Sequence, residues 1–491
     1  MDERRPLVLA SQADGPSPVD GGVLMDTKTL VKPRRVADRE AGRGDRAALA
    51  AGAAAAFMVF LGTTIVTLAL PTMLRALHGG AAAGEWIVNA YTLTLAAGLI
   101  SAGALADVLG ARRVFLTGLA VVAPASAVAA AAGAVPVLIA AQLAMGAGAA
   151  LLLPSSLALA TSGARDASGR ARAVAVWGAT GGVGLAAGPL VGGVLIAAAG
   201  WRAVFLVNVV LGAAAAVVTL ARVGAVPARP RRLDLGGQLT AGAAIAGLVF
   251  GMIEGPHLGW THPAVLAAGG VFAAGVAAFA LVERRAADPL LPLGLFRRAG
   301  FSGMSALGVL FNFTFYGVMF ALSLLLQEVK GEPPLVAGLS FLPFTGLIAL
   351  GNLVTPSLLA RFGSTAALLA GELLFGGAIA AILVTGPLPQ EWPLLLAMTP
   401  AGLGGGMVVA AMTTRLVESV PAALTGAATA AYNTGRQVGS SAGVAVFGPL
   451  LAGAAFATGF RIALGLAVAA VAATVPVTIA LRHDTASART R

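Results

Sequence analysis

The chain has 491 residues, of which 58% are hydrophobic and only 11% charged, with no cysteine, four histidines and a net charge of +11. A soluble chain of this length would carry roughly twice that share of charge, so the composition is that of a polytopic membrane protein. It excludes disulfides, thiol nucleophiles and cysteine-ligated metals, and with so few histidines no metal or other cofactor is expected.

Residues 1–46 are polar and basic, with Arg34, Arg35, Arg39, Arg43 and Arg46 near the first apolar run. No short apolar core with a cleavage site occurs there, so this reads as a disordered cytoplasmic tail and not a signal peptide. Met25 is a possible alternative start. Apolar runs of membrane length, about 20 residues, follow near 47–71, 85–106, 114–133, 136–161, 172–198, 203–222, 236–254, 264–282, 301–326, 335–356, 366–386, 393–413, 426–453 and 459–481, giving fourteen expected spans. Span one is expected to end at Pro71.

With both ends inside, almost all of the 32 lysines and arginines fall on the cytoplasmic side. Only Arg75, Arg202, Lys330 and Arg461 fall in the outer loops, and Arg436 lies within a span. That asymmetry sets the orientation and assigns the positive charge to the membrane surface, not to nucleic acid. The connections are short, with no room for a soluble catalytic module and no G-x-x-x-x-G-K-[ST] loop. No nucleophile–base pair stands out either, so an enzyme is not expected and any driving force comes from ion or solute gradients.

The stretch Gly184-Leu185-Ala186-Ala187-Gly188-Pro189-Leu190-Val191-Gly192-Gly193 reads G-x-x-x-G-P-x-x-G-G. Glycines at 184, 188 and 192 form one smooth helical ridge that lets a neighbouring helix approach to backbone distance. Pro189 frees the carbonyl four residues earlier, which a membrane bundle tolerates where neighbours satisfy it. On these residues alone, close helix packing without transport is an open alternative.

This stretch, with Gly193, resembles the antiporter motif in the fifth membrane helix of exporters of the major facilitator superfamily. The run Gly103-Ala104-Leu105-Ala106-Asp107-Val108-Leu109-Gly110-Ala111-Arg112-Arg113 is similar to the superfamily's cytoplasmic loop signature, with Val108 where the family carries an arginine. There Asp107 can latch onto the positive end of a neighbouring helix, Gly110 permits the turn, and Arg112 and Arg113 hold the anionic inner surface. A topology anchor alone is the competing reading of that loop. Thr64 to Pro71, Trp86 to Tyr91, Gly200-Trp201-Arg202, Asp288-Pro289-Leu290 and Asn433 to Gly439 resemble the fourteen-span drug/proton antiporter subfamily. Two departures stand out: Gly62-Thr63 and Gln142 occupy places where that subfamily usually has an acid and an arginine.

The resemblance implies an all-α polytopic membrane protein, a major-facilitator-like bundle of two six-helix halves plus two inserted helices. Residues 47–222 would form the first half, 223–300 the inserted pair and linkers, 301–481 the second half and 482–491 a cytoplasmic tail. It further implies a monomeric exporter of lipophilic, cationic or neutral small molecules, exchanging them for protons in the cell membrane by rocking of the halves. Uncoupled or lipid-translocating transport, and a non-transporting sensor or scaffold, are the rival readings.

Ionisable groups in hydrocarbon are costly, and each is a functional candidate. Glu372 lies seven residues into span eleven with no basic residue at helical spacing, which makes it the candidate proton carrier; a hydrated position facing the cytoplasmic cavity is the other reading. Arg436 sits in a polar cluster with Asn433 and Gln437, either to attract or pair with an anionic group or to serve structurally by snorkelling. Glu254, Glu283 and Glu328 read as solvated span edges, with an outer gate as a second reading for Glu254. Asn89, Tyr91, Gln142, Asn312 and Tyr316 are candidates to line a cavity, each equally able to make an interhelical hydrogen bond. Phe57, Phe60, Phe311, Phe313, Phe315, Phe320 and Phe344 would supply either a greasy pocket or lipid contact.

Overall fold

The computed structural model describes residues 32–164, 166–224, 228, 234–286, 289, 291–421, 424–452 and 455–481. The rest of the expected tails and part of the linker before the inserted pair lie outside the described residues. Residues 32–43, expected as an irregular tail, are helical.

From Gly44 onward the described residues form helices joined by short turns, as lipid requires of a chain that must satisfy its own backbone groups. The helices are α1 (Gly44–Leu77), α2 (Ala81–Leu109), α3 (Ala111–Ala131), α4 (Val135–Ser162), α5 (Ala167–Ala199), α6 (Ala203–Arg222), α7 (Leu235–Leu258) and α8 (Pro263–Arg285). After a short 3-10 turn at Leu293–Arg297 come α9 (Ala299–Leu324), extended by a π turn at Leu325–Val329, α10 (Pro334–Ser340), α11 (Leu342–Thr385), α12 (Trp392–Glu418), α13 (Thr425–Leu451) and α14 (Phe456–Ala480). Span one does not end at Pro71. Helix α1 carries that proline inside it and continues to Leu77, because its i−4 carbonyl loses only one intrahelical partner.

Eleven helices pass a test of length and hydropathy for crossing a bilayer among the described residues. The fourteen expected passages are recovered once three features are considered. Helix α2 bends between Leu99 and Ser101, and its two parts together are long and apolar enough for one span. Gly363, at φ +79°, divides α11 into 342–362 and 364–385. Helix α13 is 27 residues long, and its polar run from Asn433 to Gln437 lowers its hydropathy. Gly363 turns the chain just as Gly110 does between α2 and α3 at φ +86°, a backbone region that side chains other than glycine rarely adopt. The two turns stand at corresponding places in the first and last six passages.

Helices α1 and α9 form the centre: 83% and 78% of their most apolar windows are buried, against 17% for α8. Each central helix is gripped by a glycine ridge. On α5, Gly184 lies on the Phe57 backbone of α1, Gly188 on Thr64 and Gly192 on Ile65. On α13, Gly435 and Gly439 lie on Val309 of α9 and Gly443 on the Phe313 backbone. Helix α4 packs between α2 and α3, and α12 between the two arms of α11. Helices α7 and α8 pair through Gly247 and Gly275, and α7 alone leans on α2 and α13.

The turns after α2, α4, α6, α8 and α12 and at Gly363 make an arginine-rich end of the bundle, and the opposite end is arginine-poor. Asp166 starts α5 at the arginine-rich end. Its carboxyl accepts from the Gly169 N–H at 2.6 Å, which holds it below the usual carboxylate range.

Candidate functional site

The first six and last six helices meet from the middle of the bundle to its arginine-poor end. Between α1 and α9, Ser323 Oγ donates to Thr67 O at 3.0 Å and Gln327 Nε2 to Leu68 O at 2.9 Å, while the Tyr316 hydroxyl reaches Thr63 Oγ1 at 3.4 Å. Between α2 and α13, the hydroxyls of Thr92 and Ser441 stand 2.8 Å apart, and the Thr434 hydroxyl approaches Ala96 O at 3.5 Å. Gly193 of α5 rests on Pro334 at the start of α10, and Gly338 of α10 on the Pro189 carbonyl.

Along this seam the structure separates the expected polar residues into two kinds. Several are structural fasteners: Gln142 Nε2 donates to Ile87 O at 2.9 Å, the Tyr91 hydroxyl to Val59 O at 3.2 Å, and Asn312 Nδ2 to Gly308 O in its own helix at 2.8 Å. Gln142 therefore joins α4 to α2. Asn89 is fully buried with neither side-chain atom partnered. Buried amides without partners are unusual and costly.

Asn433, Arg436 and Gln437 are partly exposed on α13, although α2, α7, α9 and α14 enclose that helix. The Arg436 guanidinium lies 5.6 Å from the Tyr432 ring centroid, its stem runs against Gly308 of α9, and its Nε is buried without a partner. Among the described residues no carboxylate pairs with it. It can thus receive an acceptor or an anionic group from a ligand.

Glu372 does not join this cluster. It is buried among the last six helices, with Oε1 accepting from Thr478 Oγ1 of α14 at 2.8 Å and Oε2 unpartnered. Beside it is a cavity of about 10 Å³ lined by Leu307, Phe311, Phe375, Val408, Val471 and Thr474. That is about enough for one water molecule. Of the phenylalanines expected at a pocket or in lipid, Phe311 lines this cavity and stacks on Phe315, and Phe315 on Phe344, at 5.9 and 5.3 Å between centroids, whereas Phe57 and Phe60 are partly exposed on α1.

At the arginine-rich end, Gly103 touches Pro154, Asp107 is exposed, and Arg113 is exposed. The tie made by this loop comes from Arg112, whose Nη2 donates to Leu220 O in the last turn of α6 at 3.4 Å. Glu283, expected as a solvated edge, is 5% exposed and accepts from the Leu291 N–H at 3.2 Å, because the following turn folds back over it. Glu328 meets Arg75 at 3.6 Å as a partly exposed pair. Glu254 is half-buried and accepts from Trp86 Nε1 at 2.6 Å.

The residue that sequence reasoning passed over is Glu85. It is fully buried at the start of α2, with Oε1 3.1 Å from His257 Nε2 of α7. No spacing signal links it to a histidine 172 positions away.

Comparison with known proteins bears on the whole arrangement. The sequence model described as Major Facilitator Superfamily matches residues 52–444. The chain is 35% identical over 417 residues to a methylenomycin A resistance protein of Bacillus subtilis, covering 82% of this chain and 88% of the relative. It is 36% identical over 442 residues to a tetracenomycin C resistance and export protein of Streptomyces glaucescens, covering 87% and 80%. Among solved structures, the POT family transporter PepTSo superposes with a TM-score of 0.66 at 14% identity, covering 89% of this chain and 98% of that one. At that identity the likeness concerns the fold alone.

Proposed function

The chain belongs to the major facilitator superfamily, a family of transporters and not of enzymes, and from that premise we propose that it exports lipophilic small molecules in exchange for protons. The resistance and export functions named for its relatives support the cargo class. The structural observation that carries the reading is the partly exposed polar run of α13, a helix packed against α2, α7, α9 and α14, with an Arg436 that no carboxylate pairs among the described residues. A polar face maintained inside a membrane bundle is costly unless something passes or binds there.

Arg436 also refines the cargo expected from sequence. An uncompensated guanidinium repels cations in a low-dielectric space, so the preferred cargo is neutral or anionic and not cationic. Contacts concentrated toward the arginine-poor end support a state closed there, with the two groups of six helices rocking to open it. By the positive-inside rule that end is extracellular, in the cell membrane, with both termini in the cytoplasm.

Glu372 is the proposed proton carrier, since its unpartnered Oε2 adjoins a space for one water. The test of export is efflux of a lipophilic anionic dye from vesicles containing the purified chain. Dye leaving no faster than from empty vesicles would overturn the proposal.

A further inference from the structure

We propose that Glu85 and His257 form a proton-operated clasp that shuts the arginine-poor end of the bundle, taking up one proton each time that end closes. The inference rests on the alternating opening proposed above, and it assigns a role to the inserted helix α7.

The Glu85 carboxylate is enclosed by three helices from different parts of the chain. Helix α2 carries it just past its first turn, α7 presents His257 Nε2 at 3.1 Å, and Gly448 of α13 seals the remaining side. A Cβ at position 448 would run into the Glu85 carboxyl group. Oε2 of Glu85 is buried with no partner. The adjacent residue, Trp86, donates to Glu254 one turn before His257, so two neighbouring contacts pin α7 to α2. The His257 side chain is 25% exposed, which gives the pair a route to water. A cavity of about 180 Å³ adjoins it, lined in part by Leu70, Gly84, Phe320 and Gly448.

The other charged groups at this place are Glu254, whose negative charge acts on Glu85, and the pair Arg75 and Glu328. Glu254 of α7 is held by Trp86, and Arg75 of α1 pairs with Glu328 after α9. Helix α13 brings no titratable group in its last two turns.

In the closed arrangement a carboxylate facing a neutral imidazole would be a buried, uncompensated charge. One proton removes that problem, whether it resides on Glu85 as the acid or on His257 as imidazolium. When α13 withdraws Gly448, water reaches the pair, hydrates the carboxylate charge and lets the proton leave. Closing therefore binds one proton from the solution at that end. The ratio of closed to open molecules rises up to tenfold for each pH unit of acidification.

The absence of native cysteine allows a direct test. Ala81 and Ala452, exposed at the arginine-poor ends of α2 and α13, are replaced by cysteines and spin-labelled in the full chain in lipid nanodiscs. Their distance distribution is recorded from about pH 5.5 to about pH 9. The clasp predicts a short-distance population at acid pH that gives way to a longer one as pH rises. Glu85→Gln, permanently neutral, and His257→Lys, permanently charged, should each hold the short population across the range. A wild-type distribution indifferent to pH overturns the proposal, as does either variant opening like wild type. Dye efflux measured on the same preparations separates the two readings: efflux with pH-independent distances rejects the clasp and leaves export standing, whereas absent efflux rejects the export reading itself.

Discussion

Thr64 Oγ1 donates to Leu185 O at 3.1 Å, and Leu185 is the residue whose carbonyl Pro189 leaves free by lacking an N–H. The proline that bends the glycine-rich helix α5 is thus tolerated because α1 supplies the missing donor. Gly188, one residue before the proline, has no room for a side chain over the same threonine. The joint between α1 and α5 is a matched pair of features.

Thr64→Val keeps the shape and removes the donor, leaving Leu185 O unpartnered. The expected loss is about 1 kcal/mol, in the range of hydrogen bonds between membrane helices. Pro189→Ala restores an N–H to that carbonyl, so the double variant should recover most of the loss. Thermal unfolding of the four proteins in detergent checks the cycle, and simple additivity would contradict the assignment.

The glycine ridges make a graded prediction. Gly439→Ala and Gly184→Ala meet backbone of the partner helix and should greatly reduce folded yield, since neither α9 nor α1 can yield there. Gly182→Ala, with nothing within 4 Å, should express and transport like wild type. Size-exclusion profiles and efflux rates report both.

Arg436→Gln removes a partly exposed positive charge from the polar run of α13. Competition by an anionic lipophile for dye export should weaken roughly tenfold or more, while competition by a neutral one changes less than about twofold. Equal effects on both would mean that Arg436 serves packing only.

Much of the scaffold was legible because its signals are local. The apolar runs located the passages, and the four-residue glycine period located the α5 ridge. Even the orphaned Leu185 carbonyl followed from Pro189. What could not be read depended on contacts between distant segments. Nothing near position 64 identifies it as the donor to residue 185, and the second ridge, completed by Gly443, becomes evident only when α13 is seen against α9. Glu85 and Glu283 sit where span edges usually meet water, yet a neighbouring helix or a returning loop covers each. Glu372 reads from its flanking residues as lying in an apolar span, but nothing there reveals that its neighbours are Thr474 and Thr478 of α14.

The central claim is export driven by protons, and the most direct measurement is dye efflux from vesicles under an imposed pH gradient, comparing wild type with Glu372→Gln. Acidifying the arginine-poor side should accelerate wild-type efflux, and Glu372→Gln should lose that acceleration while still binding dye. Wild-type efflux that ignores the gradient would contradict proton coupling, and an unchanged response in Glu372→Gln would remove Glu372 from the mechanism.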